Sequence, residues 1–312
     1  MLQNKKKLGH IIAIITVIIW GTTFISTKVL LQEFTPIEVM LFRFIIAFVM
    51  LNIMKPQRLR LNDKRQEWYF VGAGLCGVTL YFLMENIALT YTNASNVGVI
   101  ISIAPFFTGL FAWIFFKGKS LKKEFFIGFL IAIIGITIIS FNGQSEFHLN
   151  PTGDILTVMA AVVWAVYSNL VKKISGFGYH TVQVTRRIFF YGILGMIPAL
   201  FVLPFRLEFS RLLNPVYLIN ILYLGVGASA ICFVTWNLAV KWIGVVKTSA
   251  YIYASPVITV ITSIIVLQEK ITGIMVLGTM LTLLGLFVSE TKVIEHLEKG
   301  VLNFRGSIEK TL

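Results

Sequence analysis

Ten long apolar stretches constrain the fold of this chain more than any other feature. They run over residues 8–31, 37–54, 68–91, 95–116, 124–141, 153–171, 181–204, 216–240, 248–267 and 271–289. A hydrocarbon core of about 30 Å is crossed by roughly 20 helical residues. Within lipid the backbone finds no water, so a spanning segment must bond its own N–H and C=O groups as a helix. The expectation is an all-α integral membrane protein with ten transmembrane helices. Composition agrees: 57% of the 312 residues are hydrophobic and only 13% are charged, against about 25% charged in soluble domains. The first stretch follows Lys5-Lys6-Lys7, as a secretory leader would. It is too long for a leader's apolar region, and it passes through Trp20-Gly21-Thr22-Thr23 with no convincing cleavage site. It reads as the first helix.

Ten spans place both termini on one side of the bilayer. With the N-terminus inside, 20 Lys and Arg fall in inside segments, among them Lys5 to Lys7, Lys55 to Arg65, Lys117 to Lys123 and the tail. Only Arg206, Arg211 and Lys270 fall outside. This bias predicts cytoplasmic N- and C-termini in a plasma membrane of the bacterial inner-membrane type. The net charge of +13 is then a topology signal, and nucleic acid is excluded as a partner. Cys76 and Cys232 lie in apolar stretches and read as small buried hydrophobes.

The chain also repeats itself. At an offset of 144, Trp20 meets Trp164, Lys28 meets Lys172 and Arg43 meets Arg187. At 151, Gly74 meets Gly225, Asn86 meets Asn237, Ile101 meets Ile252 and Pro105 meets Pro256. At 150, Gly128 meets Gly278 and Gly135 meets Gly285. The matches keep their order, so helices one to five correspond to six to ten. Because five is odd, the second copy enters the membrane from the opposite side. The expected organisation is two inverted-topology five-helix repeats, 1–143 and 150–289, and a cytoplasmic tail, 290–312. Such repeats are a common construction of secondary transporters, with the substrate near the midplane between the halves.

Trp20-Gly21, Trp164-Ala165, Arg43, Asn86-Ile87-Ala88-Leu89, Asn237-Leu238-Ala239-Val240, Pro105, Pro256, Glu269 and Gly278 together resemble the EamA-type members of the drug/metabolite transporter superfamily. The resemblance covers about residues 8–289. It implies a ten-helix fold and the transport of small metabolites, often amino acids or related compounds and frequently outward. There is one departure. The family usually opens the last helix of each repeat with Glu. Glu269 fits, but the matching first-repeat position is Lys119.

Ionisable residues inside spans are costly and point to function. Glu85 is the sharpest candidate, as a site for a substrate amine or a coupling proton, or as a structural partner of Arg43. Its counterpart in the second repeat is Trp236. Arg43 and Arg187 could each hold a substrate carboxylate. Lys28 and Lys172 read as cations that snorkel from helix ends. Asn86 and Asn237 are expected to hydrogen-bond between helices or to line a cavity. Trp20, Trp164, Tyr81, Trp236, Tyr251 and Tyr253 lie inside spans, where two or three of them could form walls for an apolar or aromatic substrate. Pro105 and Pro256 each remove a backbone hydrogen bond and are expected to kink their helices as hinges. Gly72, Gly74, Gly77, Gly225, Gly227 and Ala228 suggest close-packing helix faces.

Other functions fit less well. Gly118-Lys119-Ser120 ends like a phosphate-binding loop, but Trp113 stands where the first Gly belongs. The four His, at 10, 148, 180 and 296, are scattered, and no metal or nucleophile motif occurs. Neither a cofactor nor a metal is expected. A channel, an intramembrane enzyme and an exporter of multiple cationic drugs are the alternatives to a small-metabolite secondary transporter, with a small-molecule substrate, the lipid bilayer and a coupling proton as partners.

Overall fold

The computed structural model describes residues 2–116, 123–141, 151–206 and 208–288. Lys119, His148, His296 and the 290–312 tail lie outside the described residues. Eight helices are long and apolar enough to cross a membrane: α1 (Gln3–Leu30), α2 (Pro36–Met54), α3 (Lys64–Tyr91), α4 (Ala94–Phe115), α6 (Pro151–Ser175), α7 (Thr181–Val202), α8 (Pro215–Ile243) and α9 (Val245–Leu267). The two shorter apolar helices are α5 (Phe125–Ile139) and α10 (Gly273–Val288). All ten fall on the ten expected stretches. By length, eight of them qualify as spans.

Local chemistry sets the helix ends. The backbone N–H of Thr35 donates to Glu38 Oε2 at 2.9 Å just before Pro36 opens α2, the reciprocal half of a capping box. Asn214 Oδ1 accepts from Val216 N at 3.0 Å just before Pro215 opens α8. Between α8 and α9 the chain turns at Gly244, whose φ of 91° is open to a residue without Cβ.

The glycines reveal how the halves pack. A Cβ on Gly135 would sit 2.6 Å from Gly278 O, and one on Gly278 would sit 2.7 Å from Gly135 O. A Cβ on Gly285 would sit 2.5 Å from Gly128 O. These are two crossed contacts between the pairs that the sequence aligns. Residue numbers rise along α5 as they fall along α10, so the equivalent helices are antiparallel. Crossed contacts between equivalent positions define a two-fold relation, and antiparallel equivalents put its axis across the helices. Gly74 of α3 meets the backbone of α7 in the same way, at 2.7 Å from Gly192 N. Gly225 of α8 meets Ile46 and the Arg43 carbonyl of α2.

Both repeats depart from regular α-helix at the same places. In α3, Leu75–Leu80 is π-helical, and in α8, Tyr223–Ile231 is π-helical. In α4, regular helix ends at Ile101 and restarts at Ala104. In α9, a 3-10 turn over Tyr251–Ala254 precedes a fresh α-helix from Ser255. Each proline is therefore the second residue of a restarted helix. This corrects the expected mid-helix kink. At a helix start the missing N–H would have had no partner anyway, so Pro105 and Pro256 mark breaks that are already made.

Candidate functional site

A cavity lies where the two halves meet. Its walls are Val17, Trp20, Thr23 and Phe24 of α1, Arg43 of α2, Tyr81, Phe82 and Glu85 of α3, Ile101 and Ala104 of α4, Trp164 of α6, and Ile252 and Ser255 of α9. The centre of a water molecule can move through about 40 Å³ of it. The space is small for a metabolite.

Three pairs of wall residues are repeat equivalents: Trp20 with Trp164, Ile101 with Ile252, and Ala104 with Ser255. The two tryptophans touch edge to face, with centroids 5.2 Å apart and planes at 87°. The cavity therefore sits on the two-fold axis. Both helix breaks border it, and the first residues of both restarted segments line it. Two helix N-termini, each carrying partial positive charge, thus end at the cavity.

The chemistry is not symmetric. Arg43 is 1% exposed. Its Nε donates to Ser229 Oγ at 2.5 Å, and its guanidinium carbon lies 4.2 Å from the Phe82 ring centroid. Ring and hydroxyl hold the head group, while Nη1 has no partner. Glu85 is also 1% exposed, and its Oε1 has none either. Among the described residues no ion pair within 4.0 Å joins the two. The expected direct pair is not made, although both charges line one space. Tyr81, one helical turn before Glu85, completes this wall. The second-repeat equivalents of Arg43, Tyr81 and Glu85 are Arg187, Cys232 and Trp236, and none of them lines the cavity.

Arg187 is engaged elsewhere. It pairs with Glu67 at the start of α3 through Nε at 2.7 Å and through Nη2, and Nη1 donates to Leu59 O. Tyr191 joins the same carboxylate. Arg186 donates to the carbonyls of Lys55 and Gln57. These contacts fasten the 55–66 connection to α7 at the expected inner end. At the expected outer end, Glu269 accepts from Ala94 N, Ser95 N and Ser95 Oγ at 2.9, 3.2 and 2.5 Å. Lys28 reaches Leu89 O and Thr92 O at 2.5 and 2.8 Å, so it is bound to the α3–α4 corner instead of snorkelling. Glu38 accepts from Arg211 Nη1 at 3.0 Å and from Arg206 N at 2.6 Å.

The remaining candidates stand outside the wall. Asn86 donates to Pro36 O at 3.1 Å, linking α3 to α2. Asn237 donates to Thr185 Oγ1 and accepts from Tyr167, both at 3.0 Å, linking α8 to α7 and α6. Trp236 is fully buried behind Trp20, with ring centroids 5.0 Å apart. The hydroxyl of Tyr251 hydrogen-bonds His10 Nδ1 at 2.7 Å, and Tyr253 lies in the same tight turn. Sequence reasoning missed Phe82, Ser229, Ala104 and Ser255 as parts of the site. The offset of 151 pairs the last two beside the prolines, a signal that could have found them.

Known proteins share this architecture. The EamA-like transporter family matches the chain twice, over residues 7–141 and 151–291. An uncharacterized transporter of Archaeoglobus fulgidus is 28% identical over 287 residues, covering 91% of this chain and 97% of that protein. A protein of Escherichia coli named "Probable amino-acid metabolite efflux pump" is 23% identical over 292 residues, covering 89% and 93%. One solved crystal structure has the same fold, with a TM-score of 0.65 at 20% identity over 90% of this chain and 96% of that one. With two consecutive family matches across a bundle of apolar helices, this chain is a multi-pass membrane protein and belongs to the EamA-like transporter family.

Proposed function

We propose that the protein is a secondary transporter that exports small amino-acid-like metabolites across the bacterial plasma membrane. Ten spans, with N- and C-termini inside, carry two inverted repeats that exchange conformations to open the cavity alternately to each side. The carrying observation is the cavity between the two halves, bordered by both helix breaks and holding Arg43 and Glu85 without partners for Nη1 and Oε1. A cation and an anion held apart in one wall suit a zwitterion. The substrate carboxylate meets Arg43 and the two helix N-termini, and its amine meets Glu85. Trp20, Trp164 and Phe24 take its apolar part.

The walls must separate to admit such a molecule, because Arg43 and Glu85 are buried. The breaks before Pro105 and Pro256, where regular α-helix gives way to tighter turns, are the points at which the halves of α4 and α9 swing. The contacts of Glu269 at one end and of Arg187 at the other would then release in turn. Glu85 also suits a coupling proton, picked up on one side and released on the other. An exporter of aromatic cations is the second reading, favoured by the acid among aromatic rings. Purified protein in liposomes, screened with tritiated amino acids, labelled sugars and cationic dyes with and without a pH gradient, decides between them. Saturable amino-acid flux is expected. Saturable dye flux alone supports the second reading, and no saturable flux of any class sinks both.

A further inference from the structure

The equivalent tryptophans Trp20 and Trp164 share the cavity but not their hydrogen bonding. Trp20 Nε1 donates to Ala228 O at 2.9 Å. Ala228 lies in the π-helical segment of α8, where the wider turn presents a carbonyl to a side chain. Symmetry would offer Trp164 the carbonyl of Gly77, 151 residues earlier, in the π-helical segment of α3. The ring of Tyr167 packs against that glycine instead: a Cβ on Gly77 would sit 2.2 Å from Tyr167 Cδ2. Tyr167 is held there by its hydrogen bond to Asn237. Trp164 is 4% exposed, and its Nε1 is buried with no partner. A buried N–H without an acceptor is destabilising, and a carbonyl of the neighbouring π segment would supply one. Only the first-repeat tryptophan uses it.

We propose that the indole N–H of Trp164 is a substrate-reading donor which, with Nη1 of Arg43, binds a carboxylate oxygen of the transported molecule, while Trp20 is a fixed post. The inference rests on the functional reading above and deepens it. Two donors on one carboxylate distinguish an amino acid from the corresponding amine. The donor comes from the second repeat and the arginine from the first, so the carboxylate itself bridges the two halves.

Flux of tritiated leucine and phenylalanine into proteoliposomes of the full chain, with isoamylamine and phenethylamine as carboxylate-free competitors, tests this. Trp164→Phe keeps an aromatic ring and removes the N–H. It is expected to raise the KM for both amino acids about 10-fold, to leave inhibition by the amines unchanged and not to lower the melting temperature. Trp20→Phe removes an N–H that has its acceptor and is expected to lower the melting temperature. If Trp164→Phe folds poorly, site-specific benzothienylalanine at 164, a near-isostere without the N–H, replaces it. An unchanged KM overturns the inference while leaving the functional reading intact. An equal rise for amino acids and amines overturns it too, because that is a change of pocket shape. No saturable amino-acid flux in the wild type overturns the functional reading and this inference with it.

Discussion

The two repeats meet at the cavity through equivalent residues but contribute to it unequally: ten of its wall residues come from the first repeat and three from the second. Trp20 and Trp164, Ile101 and Ile252, and Ala104 and Ser255 line it as equivalent pairs. Arg43, Tyr81 and Glu85 come from the first repeat alone, where the second has Arg187, Cys232 and Trp236. The contrast between the arginines is the most informative. Arg43 is buried with one nitrogen unsatisfied, and Arg187 is engaged by Glu67 and the Leu59 carbonyl, with Tyr191 donating to the same carboxylate. The same residue at the same repeat position lines a cavity in one half and ties the 55–66 connection to α7 in the other. An alternating mechanism needs two halves alike in hinge and packing, because both must adopt both shapes. A substrate needs only one set of ligands. On the proposed transport reading, symmetry is kept in the glycines and helix breaks and is free to lapse in the cavity's charged residues.

The largest expected effect tests the lapse itself. Glu85→Gln removes the charge from the acceptor of the first-repeat wall and should raise the KM for amine-bearing substrates at least about 10-fold. It should also abolish any response of flux to a pH gradient. Full retention of pH-driven flux would remove Glu85 from the coupling role. A smaller effect probes the closures. Glu269→Gln weakens three hydrogen bonds to the N-terminus of α4, including the favourable charge at that helix end. A cysteine at Ala104 should then react roughly 5- to 10-fold faster with an impermeant reagent applied outside, a shift of about 1 kcal/mol. Unchanged labelling would mean that Glu269 does not hold the outer end shut. The smallest effect tests the retained symmetry. Pro105→Ala and Pro256→Ala each restore an N–H at a helix start, where it has no partner to gain, so flux should change less than about 2-fold in both. A strong loss from only one would break the equivalence of the two hinges.

Much of this was legible in the sequence. Ten apolar stretches coincide with ten helices, and the glycines that align at an offset of 150 cross one another between α5 and α10. Glu85 and Arg43 were legible because charge inside lipid is expensive. What the sequence hid follows from the same physics. A helix that faces lipid on one side and apolar neighbours on the other carries little periodic signal, so nothing indicated that Phe82 and Ser229 would hold Arg43. The π-helical segments have no side-chain signature, yet one of them provides the Ala228 carbonyl that fixes Trp20. Arg187 looked like a ligand because its partner Glu67 is 120 residues away in sequence. The prolines suggested kinks, and the breaks lie one turn earlier, at Ser102–Ile103 and Tyr251–Ala254.

The most direct test of the central claim compares the two arginines in one assay. Counterflow of tritiated leucine is measured in proteoliposomes holding wild type, Arg43→Gln or Arg187→Gln at equal protein. Loss of a buried charged ligand costs roughly 2–5 kcal/mol. Arg43→Gln should therefore lower counterflow at least about 30-fold, well below a wild type that saturates. Arg187→Gln should keep the wild-type KM while lowering the melting temperature through its lost pair with Glu67. Wild-type counterflow in Arg43→Gln, or a raised KM confined to Arg187→Gln, would contradict the account.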